Sequence, residues 1–230
     1  YQAKARTPIL VGMDLEWGLS MRLDSTIKFP RQMTLGATSD EEGIALMGEE
    51  IARQMKRLGV QVSFSPDVDV NVNPANPVIN DRSFGEDREL VARKGIAYMR
   101  GLQKGGVIAT AKHFPGHGDT DTDSHYGLPL IAHSRTRLDS LELYPFQRIV
   151  EEGIAAMMVA HLEVPALDSN GAGDAHTGVL LAALAHGATP VEAARRANAG
   201  AAIAVTRRGP ASAPRAEEID GFMAQQNART

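Results

Sequence analysis

The sequence predicts an α/β fold built on parallel strands. A helix-periodic segment followed by a short apolar run occurs three times. The apolar runs are continuous rather than alternating, as in strands covered on both faces of a parallel sheet. Each run, and a further one near the N-terminus, delivers a polar residue at its carboxyl end: Asp14, Asp67, His113 and His161. In α/β sheets and barrels the chemistry collects at those ends.

Taken in order, Ile9-Leu10-Val11-Gly12-Met13 is the first strand and leads into Asp14. Ser39-Asp40-Glu41-Glu42 reads as a capping box, with Ser39 and Glu42 satisfying each other's amides. Ile44, Met47, Ile51, Met55 and Leu58 then recur at helical spacing until Gly59 stops the helix. Val60, Val62 and Phe64 form the next strand, closed by Pro66-Asp67. The second unit starts at Asp87, runs through Leu90, Val91, Tyr98, Met99 and Leu102 to Gly105, and continues as strand 107–111, with Lys112-His113 after it. The third helix has Pro145 in its first turn and ends at Gly153; its strand spans 154–160 and His161 follows. Strands 9–13 and 154–160 would be sheet edges, which favours pairing with another chain and makes a homodimer an expectation.

Composition narrows the function. The 230 residues suffice for one large domain or two small ones, and 43% hydrophobic content predicts a globular chain. A net charge of −4 argues against nucleic-acid binding. No apolar run approaches membrane-spanning length, so no membrane association is expected. The polar start Tyr1-Gln2-Ala3-Lys4-Ala5-Arg6 is not a signal peptide, and the expected location is cytoplasmic or periplasmic. With no cysteine, thiolate nucleophiles, thiolate metal sites and disulfides are excluded.

The most reactive-looking segment is Lys112-His113-Phe114-Pro115-Gly116-His117-Gly118-Asp119-Thr120-Asp121-Thr122-Asp123-Ser124-His125. Its proline and glycines oppose a helix, so its imidazoles and carboxylates belong to a loop leaving a strand. His113, His117 and His125 could be taken for a zinc site, but no metal is expected. Asp67-x-Asp69-x-Asn71-x-Asn73 imitates the start of a calcium loop, yet Val72 and Val78 stand where Gly and Glu are required.

This loop, together with Gly12-Met13-Asp14-Leu15-Glu16-Trp17-Gly18, Met21-Arg22-Leu23 and Asn76-Pro77-Val78-Ile79-Asn80-Asp81-Arg82-Ser83-Phe84-Gly85-Glu86-Asp87, resembles glycoside hydrolase family 3, in its β-N-acetylglucosaminidase branch. The resemblance covers residues 7–168 and implies a (β/α) TIM-type barrel, here partial. It implies a loop acid/base dyad, which maps onto His125 and Asp123. It also implies sugar binding by Asp14, Arg82, Lys112 and His113, with Arg22 and His161 as weaker candidates. The reaction implied is hydrolysis of terminal β-linked N-acetylglucosamine without a cofactor. Asp14 and Arg82 could instead form a structural ion pair, and His161 could be a core histidine. The family's nucleophilic aspartate lies beyond the segment ending at Asp168 and has no assignable counterpart, so activity could be lost.

From Asp168 the sequence becomes rich in Gly and Ala. Asp168-Ser169-Asn170-Gly171-Ala172-Gly173-Asp174-Ala175-His176-Thr177-Gly178 resembles the second signature of ribokinase-like carbohydrate kinases, and the likeness continues to about residue 225, with His176 in place of the usual Phe. It implies an anion hole at Gly171, Ala172 and Gly173 ahead of a helix, with Asp174 as base; Mg-ATP would be the cofactor of such a kinase. Alternatively Asp174 merely caps its helix. The expected organisation is therefore a partial barrel over 1–167 and a ribokinase-like helical segment over 168–230, a possible chimera whose C-terminal helices complete the half barrel. A non-catalytic chimeric scaffold is the third reading.

Overall fold

The computed structural model describes residues 4–123, 127–164, 171–205, 207 and 213–227. His125 and Asp168 lie outside the described residues. The chain divides into two compact units: one of residues up to Leu130 plus Thr136–Leu162, the other of Ile131–Arg135 plus the chain from Glu163 onward.

The first unit holds one four-stranded sheet: β1 (Gly12–Met13), β2 (Val62–Ser63), β3 (Ile108–Phe114) and β4 (Ala156–Val159). Every pairing is parallel and the spatial order is the chain order. That is the strand order of a (β/α) barrel segment. The ladder runs Gly12↔Val62↔Ile108 and Met13↔Ser63↔Ala109, then Thr110↔Ala156 and Ala111↔Met157. β1 is shorter than the expected strand 9–13. Among the described residues it has a neighbour on one side only, and Ile9 and Leu10 ahead of it are exposed. The expected strand 107–111 instead extends to Phe114, which places Lys112 and His113 inside β3 rather than after it. An isolated parallel bridge between Asp67 and Lys112 prolongs the register at that level.

Helices α2 (Glu41–Leu58) and α3 (Arg88–Lys104) cover the sheet, preceded by the short α1 (Gln32–Gly36) and followed by α4 (Arg135–Ser140) and α5 (Tyr144–Glu151). The capping box expected at Ser39 and Glu42 is not what begins α2. Asp40 is the N-cap, and its Oδ1 accepts from Gly43 N at 2.7 Å. A carboxylate one residue closer to the free amides outcompetes the serine hydroxyl. Ile44, Met47, Ile51 and Met55 are buried as the spacing predicts, but Leu58 in the last turn is exposed. Gly59 ends the helix in the left-handed region at φ 71°. Against α2 lies α3, with Tyr98, Met99 and Leu102 buried, and α5 adds Phe146 and Ile149. A Cβ on Gly101 would sit 2.0 Å from the Ala45 carbonyl oxygen, so the two backbones approach as only glycine allows.

The second unit contains α6 (Ala172–Ala185), α7 (Pro190–Ala204) and α8 (Ala216–Asn227). Gly171, at φ 77°, is the N-cap of α6. Asp174 stands in the first turn and makes no cap bond, which corrects the alternative that it caps the helix. Thr189 and Glu192 form a reciprocal capping box on α7. His176 Nε2 lies 3.1 Å from Asn198 Oδ1, linking α6 to α7. The helices bury mainly small residues: Ala172, Ala175, Ala193, Ala197, Ala199 and Ala204, with Ile219. Among the described residues no helix is long and apolar enough to cross a membrane.

Candidate active site

Five of the sequence-predicted residues meet at the carboxyl ends of the strands. Lys112 Nζ, 2% exposed, lies 2.9 Å from Asp14 Oδ1 and 2.7 Å from Glu16 Oε1. Arg22 Nη2 donates to the other oxygen of Asp14 at 2.7 Å. Arg82 forms a fork on Glu16, with Nη2 to Oε1 at 2.8 Å and Nε to Oε2 at 3.0 Å. The same Arg82 Nη2 reaches His113 Nε2 at 3.4 Å. The suspected Asp14–Arg82 ion pair is therefore replaced: Asp14 pairs with Lys112 and Arg22, and Arg82 with Glu16. The Lys112–His113 peptide is cis.

Local sequence explains this convergence. Asp14 and Glu16 follow β1 directly, and the Tyr98 hydroxyl of α3 donates to the carbonyls of Leu15 and Glu16, fixing that turn. Asn76 Oδ1 accepts from the amides of Val78 and Ile79, folding the segment that carries Arg82. In Asp67-Val68-Asp69-Val70 the valines enter the hydrophobic core while the aspartates, equally buried, face the other way. Asp69 receives His117 N at 2.6 Å on Oδ1, and His113 Nδ1 at 2.7 Å and His113 N at 3.2 Å on Oδ2.

The start of the loop after β3 is pinned in turn. Asn76 Nδ2 donates to His117 O, Thr120 Oγ1 lies 2.6 Å from His117 Nδ1, and Asn73 Nδ2 donates to Thr120 O. Asp123 is half-buried and its carbonyl accepts from Gly127 N. His125 is outside the described residues, so the dyad's geometry is too. His161, half-buried, follows β4. Gly171, Ala172, Gly173 and Asp174 open α6 in the other unit, with Asp174 exposed.

Electrostatics follow from these contacts. Burial pushes the Asp14 and Glu16 carboxyls up, but Lys112 and Arg22 outweigh it at Asp14, and Arg82 and Lys112 at Glu16, so both titrate below their ordinary values. Burial, with Lys112 and Arg82 close by, lowers His113 from 6.5 to about 4 despite Asp67, so the ring is neutral at pH 7. Burial, then the negative charge of Asp69, raises Asp67 well above the carboxylate range. Burial also raises Asp69, partly offset by the His117 amide.

Asp67, Asp69 and His113 each bring a ligand atom within 4.8 Å of the others. The set does not suit a cation. Both oxygens of Asp69 are taken by N–H groups, and the Arg82 guanidinium stands 3.6 Å from Asp67 Oδ2. Of the three histidines that imitate a zinc site, His113 and His117 have Nδ1 engaged by Asp69 and Thr120, and His125 lies outside the described residues.

Sequence reasoning missed Glu16, Asp69 and Asn76. The signal for the first two was present: an acid inside an otherwise apolar stretch must find a partner.

A parallel sheet in chain order, with a charged cluster at the carboxyl ends of its strands, defines an α/β domain of the barrel class. The chain belongs to glycosyl hydrolase family 3: the model for the "Glycosyl hydrolase family 3 N terminal domain" matches residues 1–186. That match extends through α6, past the boundary expected at 168. A β-hexosaminidase A of Pseudoalteromonas piscicida is 39% identical over 74% of the chain, and a β-hexosaminidase of Neisseria meningitidis is 36% identical over 73%. The chain spans 29% and 49% of these two relatives. Among solved structures, a family 3 β-N-acetylglucosaminidase from Paenibacillus superposes with a TM-score of 0.70 at 33% identity, covering 96% of this chain and 49% of that one. NagZ from Neisseria gonorrhoeae, in complex with N-trifluoroacetyl-D-glucosamine, gives 0.67 at 33% identity, covering 76% of this chain and 54% of its own.

Proposed function

We propose that the strand-end cluster is the sugar subsite of a β-N-acetylglucosaminidase. The observation that carries this reading is the single connected network of Asp14, Arg22, Arg82, Lys112 and His113. Asp14, exposed by about a third, offers carboxylate oxygens to sugar hydroxyls, while Lys112 and Arg82 hold the anionic groups in place and supply donors. A neutral His113 adds a further polar contact, and His161, which follows β4, is a weaker candidate.

Asp123 and His125 are the acid/base pair in this reading. The aspartate orients the imidazole and stabilises its cation; the imidazole protonates the leaving glycosidic oxygen, worth ~10²–10⁴-fold in rate. The reaction consumes water and calls for no cofactor. Retention of configuration needs a second carboxylate roughly 5–5.5 Å away, and no residue is assigned to it. If none is in place, the chain binds the sugar without cleaving it.

Release of nitrophenol from a nitrophenyl N-acetyl-β-glucosaminide tests the reading. The expected result is turnover that His125→Ala abolishes, and N-acetylglucosamine binding that Asp14→Ala abolishes. Neither turnover nor sugar binding by the wild-type chain would reject it.

The finer reading of the C-terminal helices is a ribokinase-like origin. It is supported by the left-handed Gly171 opening α6 and by Asp174 exposed in the first turn. A working kinase-type site would need Mg-ATP and would lose turnover on Asp174→Asn; a scaffold would fold and show no turnover.

A further inference from the structure

The geometry points to Asp69 as a positioning residue: it fixes His113 as the Nδ1–H tautomer, so that Nε2 enters the sugar subsite as a hydrogen-bond acceptor. This rests on the sugar-binding reading above for its second half only.

Asp69 is fully buried, and both of its oxygens accept from N–H groups of His113 and His117. Two of these are main-chain amides, of His113 and His117, which can only donate. The third is His113 Nδ1, at 2.7 Å. An ionised carboxylate is an acceptor only, so Nδ1 must carry the proton.

The neighbouring Asp67 is the member of the pair that holds a proton. Its Oδ2 has no hydrogen-bond partner, whereas both oxygens of Asp69 are supplied with donors. Two buried carboxylates this close share a proton rather than ionise together, and it resides where hydrogen bonds to the charged form are fewest. Asp69 N also donates to Asp67 Oδ1 at 3.0 Å, which ties the two side chains into one turn.

On the far side of the ring, Arg82 Nη2 lies 3.4 Å from Nε2. A guanidinium can only donate, so Nε2 presents a lone pair there. Both neighbours thus demand the same tautomer. The ring is 17% exposed, and a sugar hydroxyl is the kind of donor that Nε2 would accept alongside the long Arg82 contact.

The test uses the whole chain, labelled with ¹⁵N, and long-range proton–nitrogen correlation of the histidine rings at pH 7. The His113 signals are identified as those missing from His113→Gln. The expected pattern is a protonated-type Nδ1 and an unprotonated-type Nε2. A ring protonated at Nε2, or at both nitrogens, overturns the inference from the wild-type spectrum alone, whether or not any variant folds. Asp69→Asn then places an amide donor opposite Nδ1 and is expected to move the proton to Nε2. KM for the nitrophenyl sugar should rise roughly tenfold, the worth of about one hydrogen bond, with kcat little changed. A moved proton with unchanged KM would reject the acceptor role. Absence of hydrolysis by the wild type would fall on the glycosidase reading and leave the tautomer result standing.

Discussion

His113 and Lys112 are adjacent, yet opposite conditions govern them. Lys112 is almost wholly buried, and two carboxylates, Asp14 and Glu16, meet its ammonium. Lys112→Met would leave Glu16, fully buried, with Arg82 as its one charged partner. The expected loss is about 3–5 kcal/mol, read as a lowered urea midpoint at unchanged slope. His113 is neutral because burial and two nearby cations oppose a third positive charge. Its folded-state value near 4 lies below the ordinary 6.5, so between them the unfolded chain binds the extra proton. Its contribution is full above pH 6.5 and is lost as pH falls toward about 4. Asp67, raised by burial, works in the opposite sense, because the folded chain keeps a proton that the unfolded chain releases above 3.8. The difference in unfolding free energy between wild type and His113→Gln isolates the imidazole. It should grow from pH 4 to 6.5 and then level; a flat profile would mean that His113 is not held neutral.

Among the elements, α2 illustrates how a start signal can be off by one. Ser39 and Glu42 fit the capping pattern, but Asp40 makes the bond to Gly43. Replacing the working cap by alanine costs ~1 kcal/mol, so Asp40→Ala should lower the thermal midpoint measurably while Ser39→Ala leaves it unchanged. Helix ends at Gly59 and the start of α3 at Asp87 agree with their signals, because left-handed glycine and N-cap aspartate act through local backbone geometry. Strand ends were less legible. The carboxyl end of β3 runs three residues beyond its apolar stretch, since Lys112 and His113 find partners across the sheet and their polarity no longer argues for a loop.

For the molecule as a whole, the two units differ in what they bury. The first packs Leu, Ile, Met, Phe and Tyr around its sheet. Helices α6–α8 of the second bury mostly alanine, and Leu181 and Leu184 remain exposed. Each alanine removes little apolar surface from water compared with leucine, so the second unit gains less from folding. Local opening follows that gain. Native-state amide exchange should therefore show α2 and α3 as the slowest elements and α6–α8 as distinctly faster. Equal protection in the two units would contradict this account.

The order of helices and strands, the parallel sheet and the family were all determined by sequence, because periodicity, glycine stops and a dense loop motif are local properties. Which charges meet was decided only by the tertiary structure. Asp14 and Lys112 are 98 residues apart, Glu16 and Arg82 are 66 apart, and Asp69 and His113 are 44 apart. Nothing local tells a buried acid which distant cation will neutralise it; the fold does, by bringing the segments that leave β1 and β2 and the turn carrying Arg82 to the carboxyl end of β3.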